Sequence, residues 1–195
     1  MEGFIMSFKV VAGVSARHIH LSRADMDVLF GKGSELTVKK TVGQPGQFAA
    51  NEQVVLKTEK GEMKLRVLGP LRKETQVEMS FTDGRSLKIN PPLRNSGDLK
   101  GSLGGLLIGP KGQVEIKEGI IVAARHVHLS PETAAKNGLK DGDMVDIKTF
   151  GPRSITMNGC LVRSGSTHAD EVHIDTDEAN ASSVASDDMV EIITK

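Results

Sequence analysis

Four of the six histidines in the chain lie in two His-x-His pairs, His18 with His20 and His126 with His128. In a β-strand, residues two positions apart point to the same face, about 7 Å apart along the strand, so each pair can direct both imidazoles at one ion. Imidazole-rich sites suit zinc or a neighbouring divalent metal. A single pair of this kind also fits the polar outer face of an ordinary strand. Finding the pair twice favours metal binding.

Both pairs belong to an internal repeat. Gly-Val-Ser-Ala-Arg-His-Ile-His-Leu-Ser at 13–22 recurs as Val-Ala-Ala-Arg-His-Val-His-Leu-Ser at 122–130. Two copies are too few for a solenoid, which indicates a duplicated half-domain with pseudo-twofold symmetry. The histidine pairs therefore occupy equivalent places in two related halves.

The repeat also suggests a third ligand in each half, as a catalytic zinc usually takes three protein ligands and leaves one position open. Gln-Val-Glu at 76–78 lines up with Glu-Val-His at 171–173. Glu78 and His173 then fall at the same strand position, so one half offers two His and a Glu and the other offers three His. On this alignment alone, Glu78 fits a solvated strand residue equally well. His168 has no counterpart, which indicates an ordinary surface histidine.

Three arginines and one loop lie near these residues. Arg72 follows a turn six residues before Glu78; beside a metal cluster it could hold phosphate or carboxylate bidentately, and without one it is a surface charge. Arg17 and Arg125 directly precede the histidine pairs, so we expect them to point away from the metal face and to pair with Asp or Glu across the halves. The loop at 96–105 could cradle phosphate through backbone N–H groups, but it matches no established phosphate motif, which favours a flexible connection.

Covalent catalysis finds little support in the sequence. No nucleophile–base pair of the Ser-His-Asp type can be identified, and Cys160, the only thiol, lies in an apolar run typical of a small buried residue. The pattern indicates chemistry carried by metal and a bound nucleophile, without a covalent enzyme intermediate.

The elements that must position these groups are mostly short strands separated by Gly, Pro and Asp turns, which favours small barrels or a sandwich. Ser22 is expected to cap a short helix that ends near Gly31. Ser130, followed by Pro131, is expected to cap another that stops at Gly138. The sequence thus predicts a mostly β protein with short helices.

The composition excludes several classes of protein. The 195 residues hold 25 Lys+Arg against 25 Asp+Glu, and aromatic residues make up 3%. Zero formal charge and few aromatics argue against nucleic-acid or anionic-membrane binding. One cysteine allows no internal disulfide, and no apolar run is long enough to span a bilayer. Residues 1–10 lack the features of a signal peptide, so we expect a cytoplasmic protein.

Six stretches together form a specific signature. They are Gly-Val-Ser-Ala-Arg-His-Ile-His-Leu-Ser at 13–22, Gln-Pro-Gly-Gln-Phe-Ala-Ala at 44–50, Leu-Gly-Pro-Leu-Arg-Lys-Glu-Thr-Gln-Val-Glu at 68–78, Ser-Gly-Asp-Leu-Lys-Gly-Ser at 96–102, Ala-Arg-His-Val-His-Leu-Ser at 124–130 and His-Ile-Asp-Thr-Asp-Glu-Ala-Asn at 173–180. From about Val10 to its end, the chain closely resembles the PduL-type phosphotransacylases, the phosphate propanoyltransferase family of acyl-CoA metabolism.

The resemblance implies two pseudo-symmetric small β-barrel domains with two zinc ions, or another divalent transition metal, where the domains meet. It implies Arg72 as the catalytic, phosphate-binding arginine. The implied metal ligands form two triads, with His18, His20 and Glu78 on one ion and His126, His128 and His173 on the other. The implied coenzyme A contacts are Gly13, Val14, Ser15, Arg66 and Asn180.

In that family the first strand is swapped into the C-terminal barrel, which implies one domain at 17–123 and another at 1–16 plus 124–195. The implied reaction is reversible transfer of a short acyl group, propanoyl or acetyl, between coenzyme A and inorganic phosphate, as in propanediol degradation. The expected partners are acyl-CoA, CoA and phosphate, with a homodimer as a further option. Members carried in microcompartments have an additional N-terminal targeting helix, and no such helix is seen before the first strand.

Two alternatives remain beside the transferase. A binuclear metallohydrolase also uses His-x-His, but barrel hydrolases of that kind need about 250 residues with βα repeats. A metal-stapled β-module that binds a partner would need only closed metal sites, whereas two three-ligand triads leave positions open. Both alternatives therefore rank below the transferase.

Overall fold

The computed structural model of the chain describes residues 6–194, within which the backbone forms fourteen strands and four short helices. The mostly β architecture with short helices confirms the fold class. In chain order the elements are β1 (Ser7–Ser15), β2 (His18–His20), α1 (Arg23–Phe30), β3 (Val38–Thr41), β4 (Phe48–Thr58), β5 (Gly61–Gly69), β6 (Gln76–Glu78), α2 (Phe81–Ser86), β7 (Leu93–Arg94), β8 (Leu103–Ile108), β9 (Gln113–Ala123), β10 (His126–Leu129), α3 (Pro131–Lys136), β11 (Met144–Lys148), β12 (Thr156–Ser164), β13 (Glu171–Asp175), α4 (Thr176–Ser182) and β14 (Met189–Ile193).

One compact unit contains the described residues 6–15, 43–45 and 124–194. Its six strands close into a barrel in the order β1-β13-β10-β12-β11-β14. Strand β1 runs parallel to β13 and antiparallel to β14, so the first strand of the chain completes a barrel whose other strands come from the C-terminal half. Buried aliphatic side chains fill its interior, among them Val127, Val172 and Ile192. Burial of such side chains is the main stabilising contribution.

The other compact unit contains residues 16–42 and 46–123. Six of its strands also close into a barrel, in the order β4-β5-β2-β6-β9-β8, because β8 pairs with both β9 and β4. Strand β3 extends the sheet beside β4, and β7 extends it beside β9. Ile19, Leu65 and Val77 are fully buried in this core. Two small barrels are what the resemblance implied, and they exclude the sandwich that the strand pattern also allowed.

The two barrels place their histidine strands in the same surroundings. Strand β2 lies between β5, to which it is parallel, and β6, to which it is antiparallel. Strand β10 lies between β12 and β13 with the same two orientations. This register sets His18 opposite Glu78 in one barrel and His126 opposite His173 in the other.

The helices begin where serine and aspartate caps accept hydrogen bonds from backbone N–H groups. Both helices expected from the sequence form, α1 after Ser22 and α3 after Ser130. Two further helices, α2 and α4, follow the strands that carry Glu78 and His173, and both open with a capping box. In the described part of the chain, no helix has the length and apolar character needed to cross a membrane.

Candidate active site

The first triad is buried in the barrel of residues 16–123. The potential ligand atoms of His18, His20 and Glu78 all lie within 4.8 Å of one another. Nε2 of His18 is 3.6 Å from Oε2 of Glu78, and Nε2 of His20 is 4.0 Å from Oε1. The other ring nitrogen, Nδ1, faces a backbone carbonyl in both residues. Nδ1 of His18 lies 2.8 Å from the carbonyl oxygen of Ala16, and Nδ1 of His20 lies 3.2 Å from that of Leu68. Such contacts fix the tautomer, so Nε2 keeps its lone pair toward the carboxylate.

The second triad repeats this design with three imidazoles. The potential ligand atoms of His126, His128 and His173 also lie within 4.8 Å of one another. The ring centroid of His128 is 4.8 Å from those of both His126 and His173. Nδ1 of His126 faces the carbonyl of Ala124 at 2.9 Å, as Nδ1 of His18 faces that of Ala16. Within each barrel, the structure thus brings together the three residues that the sequence suggested as metal ligands.

Both triads fit a divalent transition metal. Imidazole and carboxylate are the donors that zinc takes in proteins, and the neutral imidazole is the form that binds. Burial, with Coulomb repulsion from neighbouring histidines, lowers the pKa of His128 to about 2. Nδ1 of His128 is buried and has no hydrogen-bond partner among the described residues. Because an unpaired buried nitrogen is costly, this atom indicates that the cluster is built for a further partner.

Glu78 keeps its negative charge in the first triad. Burial alone would raise the pKa of this carboxyl group, but the positive charges of His18, His20 and Arg72 outweigh burial and lower the pKa to about 2. The pKa of His20 is itself lowered to about 3, chiefly by burial. At neutral pH His20 is therefore neutral, whereas Arg72 keeps its positive charge beside the carboxylate.

A polar network surrounds the Glu78 carboxylate and includes Arg72. Nη1 of Arg72 lies 4.0 Å from Oε1 of Glu78 and donates to Oγ of Ser96 at 3.2 Å. Ser96 in turn donates to Oε1 of Glu78 at 2.9 Å. The amide nitrogen of Gln76 donates to the same carboxylate oxygen, and the amide oxygen of Gln76 accepts from the backbone N–H of Gly97 at 2.8 Å.

Sequence reasoning missed Gln76 and Ser96. Gln76 could have been found, because it lies two positions before Glu78 and so faces the same side of the strand. Ser96 had no such signal, since it begins the loop that was expected to be a flexible connection. The hydrogen bonds of Ser96 and Gly97 instead tie the start of that loop to Gln76 and Glu78.

Arg17 and Arg125 play matching structural roles and pair with carboxylates as expected, but the expectation that these pairs cross the halves was wrong. Arg17 donates to Asp83 at 2.9 Å, and Arg125 donates to Glu178 at 2.5 Å. Each acceptor is the third residue of a helix and part of its capping box. Each ion pair therefore ties a histidine strand to the helix of its own barrel, and the two ion pairs do not cross the halves.

The residues beside the second triad also differ from the expectation. His168 is not an ordinary surface histidine: its ring centroid lies 4.4 Å from that of His128, and its Nδ1 faces the carbonyl of Arg163 at 3.0 Å. Sequence reasoning missed Glu171, whose Oε2 lies 2.9 Å from Nε2 of His173. Glu171 carries the same positional signal as Gln76, two residues before the third member of the triad.

The residues implied as coenzyme A contacts lie in both units. Gly13, Val14 and Ser15 are on β1, where Gly13 pairs with His173, and Asn180 is exposed on α4. Arg66 lies on β5 in register with His18 and donates to the carbonyl of Ala50 at 2.7 Å.

Cys160 is fully buried on β12, as expected. Burial raises the pKa of its thiol to about 12. It is therefore unreactive as a thiolate near neutral pH.

The comparison with known proteins is decisive for the family. Residues 11–185 match the family model of phosphate propanoyltransferase. A phosphate propanoyltransferase of Rhodopseudomonas palustris is 56% identical over 189 residues, which cover 96% of this chain and 84% of the relative. The proteins of the same name from Rhodobacter capsulatus and Thermotoga maritima are 52% and 47% identical, over 94% of this chain and 86% and 89% of their own lengths. The chain belongs to the phosphate propanoyltransferase family.

Membership in the phosphate propanoyltransferase family makes the chain a phosphate acyltransferase and confirms the resemblance. It supports acyl transfer between coenzyme A and phosphate, and it decides against the metallohydrolase and the partner-binding module. The matched region, residues 11–185, contains both triads and Arg72.

Proposed function

We propose that this chain transfers a short acyl group, propanoyl or acetyl, reversibly between coenzyme A and inorganic phosphate with two zinc ions. The observation that carries the proposal is the pair of equivalent three-donor groups, one of which has Arg72 beside it. A phosphate acyltransferase must hold two anionic substrates against each other, and positive charge is what such a task requires. The family assignment supports the reaction class.

The two triads are the proposed metal sites. Three protein donors in each would leave further coordination positions for substrate. When bound, divalent ions supply Lewis-acid chemistry that polarises a phosphoryl or carbonyl oxygen. The proposed ligands are His18, His20 and Glu78 for one ion and His126, His128 and His173 for the other. Burial keeps the pKa of His20 and His128 low, so these imidazoles are neutral and ready to bind.

Arg72 is the proposed phosphate-binding residue. Its side chain is partly exposed, while its Nη1 is oriented by Ser96. The planar guanidinium carries donors in a fork that matches phosphate geometry. Held in this way, Arg72 would orient one phosphate oxygen toward the thioester and offset the repulsion between the two anionic substrates.

The proposed chemical step is direct. A phosphate oxygen forms a bond to the thioester carbonyl carbon, and the carbon–sulfur bond then breaks, which yields acyl phosphate and the CoA thiolate. Within the described residues, Cys160 is the only thiol, and its burial and raised pKa argue against an acyl-enzyme at that position. Glu78, hydrogen-bonded by Ser96 and Gln76, is better suited to binding metal than to attacking a carbonyl.

The proposed coenzyme A contacts are Gly13, Val14, Ser15, Arg66 and Asn180. The proposed domains are 17–123 and 1–16 with 124–195, and the pairing of β1 with β13 and β14 supports the swap of the first strand. We also propose that the chain forms a homodimer and that it acts in propanediol degradation with propanoyl as the transferred group.

The test is a thiol-release assay on the purified full chain with propanoyl-CoA and, separately, acetyl-CoA. Thiol should appear only when inorganic phosphate is added, and acyl phosphate should form in equal amount. Sulfate at the same concentration is the matched control for ionic strength and charge. Thiol release without phosphate would identify a thioester hydrolase and overturn the proposal.

A further inference from the structure

The carboxylate of Glu171 lies at the second triad and has no part in the function proposed above. Glu171 precedes His173 by two residues on β13, so both side chains emerge on the same face of the strand. Oε2 of Glu171 lies 2.9 Å from Nε2 of His173. The same oxygen accepts a hydrogen bond from the amide nitrogen of Gln44 at 2.7 Å. Gln44 thus holds the carboxylate of Glu171, which faces the imidazole of His173.

Gln44 is itself fixed in one orientation. Its side chain is buried, and its amide nitrogen donates to the carbonyl of Ala169 at 3.2 Å. Its amide oxygen accepts from the backbone N–H of the same residue, also at 3.2 Å. Because both ends of the amide are bound to Ala169, the donor toward Glu171 cannot rotate away without breaking two further hydrogen bonds.

Two glycines leave the space that the carboxylate fills. A Cβ atom at Gly43 would lie 2.3 Å from Oε1 and 2.4 Å from Oε2 of Glu171. A Cβ atom at Gly13 would lie 2.6 Å from Oε1. Neither glycine has a positive φ, so the close approach of Glu171, and not backbone conformation, explains both. At Gly13, this packing reason stands beside the proposed contact with coenzyme A.

An ionised carboxylate can only accept a hydrogen bond. Nε2 of His173 must then carry the proton, and Nδ1 keeps the lone pair. Metal-binding histidines commonly donate their other ring N–H to a carboxylate, which fixes the ring and raises its basicity toward the ion. Gln44 holds the carboxylate of Glu171 in place for such a contact with His173, and Gly13 and Gly43 leave room for it.

We propose that Glu171 is a positioning residue that holds His173 in its Nε2–H tautomer and thereby strengthens metal binding at the second triad. This role rests on the proposed function, because it assumes that the second triad holds a divalent ion. It concerns the identity of the protonated nitrogen and the affinity of one site, and it requires no contact between Glu171 and substrate.

The first measurement is the tautomer of His173 by proton–nitrogen NMR of the metal-free full chain. The parent should show His173 protonated at Nε2. Glu171→Gln should lose this preference, because an amide can present either an oxygen or an NH2 group to the ring. A parent with His173 protonated at Nδ1 would overturn the proposal.

The second measurement is competition between the protein and a chelator for Zn²⁺ alone. In Glu171→Gln, one of the two metal equivalents should bind about 10–100-fold more weakly, and the other should be unchanged. Gln44→Ala, which retains the carboxylate but removes its donor, should shift the same equivalent in the same direction by less. Glu191→Gln is the matched control, since Glu191 accepts from Ser7 in the same barrel and should leave both equivalents unchanged.

The outcomes separate the two proposals. Parental affinity for both equivalents in Glu171→Gln overturns the role of Glu171 alone. A parent that binds no Zn²⁺ overturns the proposed metal centre, and with it this role. Should Glu171→Gln fail to fold by circular dichroism, a parental affinity in folded Gln44→Ala would count against the proposal.

Discussion

The two triads occupy equivalent places in the two barrels but differ in where the carboxylate lies. In the first triad Glu78 is the third member, and the amide of Gln76 lies two positions before it. In the second triad His173 is the third member, and the carboxylate of Glu171 lies two positions before it. Each site therefore has one carboxylate. Glu78 could bind an ion directly, whereas Glu171 contacts the imidazole of His173.

The different position of the carboxylate shows that two related barrels can keep the same triad geometry while their ligand sets differ. Two neutral imidazoles and a carboxylate cancel one unit of a divalent charge, whereas three neutral imidazoles cancel none. An ion at the second triad would therefore have no negative charge among its direct protein ligands, and the charge of Glu171 would act on it only through His173. The first triad instead has the charge of Arg72 beside it. The following experiments test this contrast.

Loss of a histidine should have the largest effect. His18→Ala and His126→Ala should each remove about one of two metal equivalents and abolish turnover, because a zinc site needs its three protein donors. Elemental analysis of untagged protein measures the loss, and Glu191→Gln, whose carboxylate accepts from Ser7, is the control that should keep both equivalents. A metal-free preparation with full activity would refute the two-metal site.

Glu78→Gln tests the role of charge in the first triad. The variant keeps the shape of the side chain but loses its charge, so one metal equivalent should bind at least about 10-fold more weakly while the other stays unchanged. Titration with a chelator measures both. If Glu78→Ala retains both equivalents and full activity, the alignment of Glu78 with His173 is misleading.

Arg72→Lys should cost activity although it keeps the charge, because lysine lacks the planar fork. We expect about a 10–100-fold loss of turnover efficiency with respect to phosphate, less than the roughly 100–1,000-fold loss seen when an oriented donor is removed outright, because lysine keeps the charge. The KM for acyl-CoA should change less. Arg153→Lys, at an exposed position, is the matched control. A selective rise in the KM for acyl-CoA would instead assign Arg72 to the coenzyme site.

Glu78 should also leave a mark on the pH dependence of stability in the metal-free protein. Its pKa is lowered from an ordinary value of 4.5 to about 2. A lowered folded-state pKa stabilises the fold above the unfolded pKa, and this stabilisation is lost as the pH falls from about 4.5 through about 2. The free energy of unfolding of the parent should therefore fall relative to that of Glu78→Gln over this range. Urea unfolding at stepped pH measures it, and a constant difference would contradict the assignment.

The triads could be predicted from the sequence because their patterns are local or repeated. The alternation of His18 and His20 marks one strand face, and the repeat then transfers the pattern to His126 and His128. The same alternation places Glu171 and Gln76 on the faces of their strands that carry the triads. Their roles, however, depend on contacts that only the structure shows. Gln44 lies 127 positions from the carboxylate that it holds, and no local pattern predicts such a contact.

The partners of the arginines were missed for another physical reason. Arg17 and Arg125 were expected to pair with Asp or Glu across the halves. Each instead pairs with the third residue of a helix in its own barrel. Both acceptors lie where a capping box already fixes a carboxylate, at Asp83 and Glu178, so the nearby ion pair costs little additional ordering.

Cys160→Ala should have the smallest effect and tests whether transfer is direct. A thiolate is the natural exchanger with a thioester, and an acyl-enzyme route would need one. Cys160 is fully buried and its pKa is raised to about 12, so its thiolate is scarce near neutral pH. The variant should keep most of its turnover and lose about 1 kcal/mol of unfolding free energy from reduced packing. Initial-rate kinetics should require both substrates before either product leaves, whereas ping-pong patterns or an acyl adduct trapped on Cys160 would overturn direct transfer.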